Sequence, residues 1–170
     1  MTTVVNPVQK LQEHGREILG IIQDTVAFQV HLPRTECQQH LSTFLDQHRF
    51  IVVTGTAGIG KSALAKNALQ LLSEDTPVFA FRAEEFACRH IDEALSRIGI
   101  HESLRDLSAR FPLHARKWLF IDSLERLLEA ESFDAFLMFL QRVKDDPSWH
   151  VLRTCRSYAV EQARDIFFRV

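Results

Sequence analysis

One octapeptide restricts the fold of this chain more than any other feature. Gly55-Thr56-Ala57-Gly58-Ile59-Gly60-Lys61-Ser62 spells Gly-x-x-x-x-Gly-Lys-Ser. A nearly continuous apolar run, Phe50-Ile51-Val52-Val53-Thr54, precedes it, and a helical period from Ser62 to Ser73 follows. Three of the six glycines fall inside this loop. Lacking Cβ, they let the main chain turn tightly and converge its N–H groups on an anion, while the following helix aims its positive dipole end at the same point. Strand, glycine loop and helix in that order form a phosphate cradle. Lys61 is placed to reach the β- and γ-phosphates of a nucleotide, and the Ser62 hydroxyl to ligate Mg²⁺. The candidate nucleotide-binding segment is therefore Gly55, Thr56, Ala57, Gly58, Ile59, Gly60, Lys61, Ser62 and Ala63.

The pattern on either side supports an α/β fold. Val78-Phe79-Ala80-Phe81, Trp118-Leu119-Phe120-Ile121 and His150-Val151-Leu152-Arg153-Thr154 read as further short strands. Helical periods separate them, around Ile91 to Ile98 (stopped by Gly99), from Leu124 to Val143, and from Tyr158 to Phe168. Apolar runs that do not alternate belong to strands buried on both faces by crossover helices, so a parallel sheet is expected. Before this core, Val8, Leu11, Ile18, Leu19 and Ile22 recur at helical spacing. Asn6 suits the N-cap there, Pro7 the first helical position, and Gln9 a capping box. Thr25 to Leu32 is partly β-branched and aromatic, and a second helix is expected over Thr35 to Gln47.

Composition sets the outer limits. With 170 residues, 46% hydrophobic and 25% charged, the chain fits one globular domain. A net charge of −2 gives no field to draw it to nucleic acid or anionic lipid, and neither partner is expected. No apolar run reaches membrane-spanning length, and the N-terminus lacks the pattern of a secretory signal. Cys37, Cys88 and Cys155 form no paired spacing, which points to a reducing, cytoplasmic setting. Cys88 and Cys155 read as small buried apolar groups. The eight histidines show no metal-ligand spacing. Arg105, Arg110, Arg116 and Lys117, the one basic concentration, read as solvated surface, and the Phe133-Phe136-Leu137-Phe139-Leu140 cluster as a helix face against the sheet or, being apolar around much of the helix, in part an interface.

Lys117-Trp118-Leu119-Phe120-Ile121-Asp122-Ser123-Leu124-Glu125 places an acid at the end of an apolar strand. Taken alone, Asp122 also suits a strand end or helix N-cap, and Glu125 a first-turn acid. Beside the glycine loop, the segment resembles the Walker B strand of P-loop NTPases, and within them of the signal-transducing STAND class that includes NACHT and NB-ARC ATPases. The resemblance implies that Asp122 holds Mg²⁺ and that Glu125 polarises the attacking water. Thr154-Cys155-Arg156 is similar to the end of the STAND sensor strand, where Arg156 would read the γ-phosphate; a surface arginine after a strand explains it too. Val30-His31-Leu32-Pro33-Arg34-Thr35-Glu36 resembles the segment beside the nucleotide base, with Arg34 the residue carried over, although Pro33 stands where glycine is usual. A helix starting at Thr35 accounts for the same residues.

The resemblance implies a three-layer P-loop fold of the additional-strand type, its core strands ordered 2-3-4-1 with a fifth beyond the first where present, covering residues 30–170 behind an N-terminal helical extension over 1–29. Family members continue into a helical lid with Gly-x-Pro, a winged helix and sensor repeats, so the chain is expected to be a piece of a larger protein or a minimal module. The function expected is binding of ATP or ADP with Mg²⁺ and slow hydrolysis, as a signalling switch with protein partners or self-association. Two other readings are a nucleotide-bound scaffold that hydrolyses little, and a small-molecule kinase.

Overall fold

The computed structural model describes residues 6–23, 25–26, 30–31, 35–72, 76–110 and 116–167. Its core is a four-stranded, all-parallel sheet of β3 (Phe50–Gly55), β4 (Val78–Arg82), β5 (Lys117–Asp122) and β6 (Trp149–Arg156). From one edge the order is β4-β5-β6-β3, which in core-strand terms is second, third, fourth, first. β6 thus lies between the loop strand and the strand that ends in Asp122, as the additional-strand architecture requires. Among the described residues the sheet has no fifth strand. A separate antiparallel ribbon pairs β1 (Thr25–Val26) with β2 (Val30–His31).

Alternation along these strands sorts the core into two layers. Phe79, Phe81, Leu119, Ile121, Val151 and Cys155 face one cluster, completed by α4 (Ile91–Arg97), α5 (Leu104–Arg110), α6 (Asp134–Asp145) and α7 (Val160–Phe167). Ile51, Ala80, Trp118, Phe120 and Leu152 face the other, under α2 (Thr35–Gln47) and α3 (Lys61–Gln70). Trp118, Phe79 and Phe120 are wholly buried, and each contributes about 1.5–3 kcal/mol through lost apolar hydration.

Helix α1 (Pro7–Ile21) belongs to both layers. Leu11 joins the first cluster and Ile18 the second, so the helix passes over the outer edge of β4. Contact is close because Gly15 has no side chain: a Cβ there would lie 2.8 Å from the Ala80 amide nitrogen. The edge is thereby covered rather than left open to pairing. Asn6 caps α1 as expected, its Oδ1 accepting from the Val8 amide at 3.0 Å with Pro7 in the first turn. The capping box does not form, because Gln9 donates instead to Glu13 at 2.9 Å.

Three expectations change. The period from Leu124 to Val143 is not one helix. A 3-10 turn over Leu124–Glu129 comes first, closed by Arg126 N–H to Ser123 O and Ala130 N–H to Leu127 O, and α6 begins only at Asp134. Leu124 and Leu127, three apart, both face the core, and that spacing suits three residues per turn. The Tyr158 to Phe168 period likewise divides into a short 3-10 turn, Ser157–Ala159, and α7. Lys117 is not solvated surface: it is 4% exposed, 3.3 Å from Asp146 and stacked over the Trp149 ring.

Candidate functional site

The glycine loop joins β3 to α3 at the C-terminal edge of the sheet. Gly58 (φ 73°) and Gly60 (φ 84°) are left-handed, a conformation that costs other residues about 1–2 kcal/mol. Gly60 is also the N-cap of α3, and no acid of the helix's own occupies its first turn, so its N–H groups face the loop. Lys61 Nζ folds back over the loop and donates to Gly55 O at 3.1 Å and Thr56 O at 2.8 Å. The ammonium is held over the mouth of the cradle, where an anion would meet it.

Asp122 lies opposite. Its Oδ1 accepts from Ser62 Oγ at 2.5 Å and from Thr154 Oγ1 at 2.6 Å. The Thr154 hydroxyl in turn accepts the Ser123 amide at 2.8 Å. Ser123 is the one non-glycine residue with positive φ among those described (φ 60°, ψ 54°). This turn directly after β5 brings Glu125 back beneath the site, where it is 4% exposed. Both Glu125 oxygens are engaged by Arg156: Oε2 accepts its amide at 3.1 Å, and Oε1 lies 3.1 Å from its Nε. The anticipated water-polarising acid and the anticipated γ-phosphate reader therefore form an ion pair with each other.

These groups line one cavity of about 400 Å³, which contains Ala57, Gly58, Gly60, Lys61, Ser62, Ala63, Asp122, Ser123, Glu125 and Arg156. Its volume lies within the range of small-ligand sites. Gly55, Thr56 and Ile59 complete the loop without lining this cavity. Arg34 lies outside the described residues.

Sequence reasoning missed three contributors. Thr154 joins Asp122 to the Ser123 turn; its signal was its place one strand over from an acid-ended strand. Arg82, at the end of β4, pairs in register with Asp122 and also lines the cavity. The last turn of α1 supplies Ile18 and Ile21, followed by Ile22 and Gln23, and Lys66 of α3 holds this end by donating to Ile22 O at 2.8 Å. Nothing local in the sequence reveals that approach.

Ser62 and Asp122 offer hard oxygen donors of the kind Mg²⁺ takes, one or two from protein with the rest from phosphate and water. Among the described residues, no group of three or more His, Cys, Asp or Glu side chains could hold a metal alone, so the donor set fits a cation that arrives with a polyphosphate. Burial, followed by the nearby Glu125 charge, pushes the Cys155 thiol up to about 11, so it stays protonated at neutral pH and is no nucleophile. Arg153 is buried mid-strand; desolvation lowers its guanidinium to about 10, still charged at neutral pH.

The family model described as Novel STAND NTPase 3 matches residues 33–169. Among solved structures, a Walker-type ATPase of Pyrococcus abyssi is similar at 15% identity with a TM-score of 0.50, over 86% of this chain and 51% of that one. The chain thus spans about half the length of that ATPase, and the likeness speaks to the fold. Comparison with curated proteins gives no match.

Proposed function

The chain belongs to the Novel STAND NTPase 3 family, and on that premise we propose that it binds ATP with Mg²⁺ and hydrolyses it slowly, as a nucleotide-dependent switch. The observation that carries this is the Ser62–Asp122–Thr154 chain of hydroxyl, carboxylate and hydroxyl directly beside the glycine loop. Mg²⁺, when bound between Ser62 and Asp122, would supply charge neutralisation on the phosphate oxygens. Loop amides and the α3 N-terminus would hold the β- and γ-phosphates, with Lys61 released from the Gly55 and Thr56 carbonyls to meet them. Water attacks the γ-phosphorus, the bond to the β-bridging oxygen breaks, and ADP leaves with that electron pair. Glu125, steadied by Arg156, orients the water and takes its proton.

An ATP state and an ADP state would differ at the groups around the γ-phosphate. Because the last turn of α1 lines the same cavity, that difference can be passed to the N-terminal helix. Such a switch acts through protein partners or self-association. The free thiols of Cys37, Cys88 and Cys155 support a reducing, cytoplasmic setting, and no helix among the described residues is long and apolar enough to cross a membrane.

The commitment of both Glu125 oxygens to Arg156 favours a second reading, a nucleotide-holding scaffold with little turnover. Single-turnover assay with Mg-ATP separates the two. The switch releases phosphate slowly, and Glu125→Gln slows that release by about 10²–10⁴-fold with binding retained. Bound, uncleaved ATP in the unmodified chain supports the scaffold; equal turnover in Glu125→Gln removes Glu125 from the chemistry.

A further inference from the structure

The cavity is lined by three cations, and their commitments differ. Lys61 spans the glycine loop. Arg156 spends its amide and its Nε on the buried Glu125 carboxylate. Arg82 is exposed, and among the described residues its guanidinium has no ion-pair partner. Its backbone is nonetheless fixed: the Arg82 amide donates to Glu85 Oε2 at 3.0 Å, and the same carboxylate holds His14 of α1 at 3.1 Å.

Strand register fixes the direction of its side chain. Arg82 pairs with Asp122 across β4 and β5, so the two share a sheet face. Stepping by two from Ala80 on β4 and Phe120 on β5, both in the cluster beneath α3, puts Arg82 and Asp122 on the α3 side. That side carries Ser62 and Thr154, the hydroxyls that bracket Asp122. Asp122 spends its Oδ1 on those hydroxyls and forms no ion pair with Arg82, although the two are paired neighbours. An uncommitted guanidinium one strand from the Mg²⁺-binding carboxylate, on the cavity side, is placed for an anion beyond the metal position.

We propose that Arg82 contacts the terminal phosphate and makes the site distinguish nucleoside triphosphate from diphosphate, while Arg156 is a positioning residue for Glu125. This deepens the nucleotide-switch reading and rests on it. A planar guanidinium offers paired N–H donors to phosphate oxygens. With a diphosphate bound the same group has nothing to hold, so its contribution appears only in the triphosphate complex.

The test is isothermal calorimetry on the full chain with Mg-ADP and with the Mg complex of the non-hydrolysable analogue AMP-PNP. For Arg82→Gln, AMP-PNP affinity falls about tenfold to a hundredfold, the range for a charge-assisted hydrogen bond, while ADP affinity stays within about twofold of the unmodified chain. Arg82→Lys, which keeps the charge and loses the fork, recovers part of the difference. Arg156→Gln leaves the preference for triphosphate in place. Equal weakening of both nucleotides by Arg82→Gln, no weakening of either, or loss of the preference in Arg156→Gln instead, would each overturn the assignment. Failure of the unmodified chain to bind either nucleotide would overturn the nucleotide reading itself, and this inference with it.

Discussion

Two glycines in α1 should respond to the same substitution with opposite signs. At Gly20 nothing lies within 4 Å of an added Cβ, so Gly20→Ala should gain helix propensity alone, about 0.5–1 kcal/mol. Gly15→Ala gains the same propensity, but its Cβ would stand 2.8 Å from Ala80 N, 3.3 Å from Val78 O and 3.4 Å from Phe79 Cα. All three are backbone atoms of β4, which is held by its pairing with β5, and no rotamer change relieves the overlap. Forcing an atom into such a contact costs about 1–3 kcal/mol. Pushing the helix outward also loosens Leu11 and Ile18, which are 1% and 6% exposed. The expected net loss for Gly15→Ala is about 1–2 kcal/mol, so the two variants should differ by about 1.5–3 kcal/mol. Urea unfolding followed by circular dichroism gives both values, and in a domain of this size the gap is about 5–10 °C in melting temperature. If Gly15→Ala is as stable as Gly20→Ala, α1 does not seat on the edge of β4, and its route to the nucleotide cavity is wrong.

Two further expectations concern pH. Burial, together with the nearby Arg116 and Arg49 charges, lowers the His150 imidazole below 6.5 despite its contact with Ser148 O. The unfolded chain therefore binds a proton that the native one refuses, and stability falls as pH drops from about 6.5 toward the native value; His150→Gln should flatten that slope in denaturant titrations, and an unchanged slope would contradict it. Burial works against the Asp146 carboxylate, but hydrogen bonds from Ser148 and the Lys117 ammonium outweigh it and hold it below 3.8. Its stabilisation is present above that value and lost as pH falls further, and Lys117→Met should make this acid loss shallower while shifting stability at neutral pH by less than about 1.5 kcal/mol. A larger loss at neutral pH would mean that the buried ammonium does more than pair with Asp146.

What was legible in the sequence was what is local. The loop from Gly55 to Ser62, the strand running into Asp122 and the N-cap at Asn6 each depend on a few adjacent residues, and each has the anticipated local form. Strand order followed from the resemblance those motifs carried. The misreadings came from contacts made at a distance. Lys117 looked like part of a basic surface because its partner Asp146 lies 29 residues on, at the start of the next strand's turn. Arg153 interrupts an apolar run, yet the sheet buries it. Leu124 to Val143 keeps a period close to helical, but the 3-10 turn ends at Glu129, Ala130 is extended, and Ser132 Oγ donates to Cys88 O at 3.3 Å before α6 begins. The capture of Glu125 by Arg156 could not be read from spacing, since both residues matched roles that face the nucleotide.

The most direct measurement is calorimetric titration of Mg-ATP into the chain and into Lys61→Ala. Lys61 bridges two loop carbonyls and is the cation proposed to meet the phosphates, so its loss should weaken binding by about 1.5–3 kcal/mol, roughly tenfold to a hundredfold, without unfolding the domain. Equal affinity in the two proteins would mean that nucleotide, if bound at all, sits somewhere other than the loop between β3 and α3.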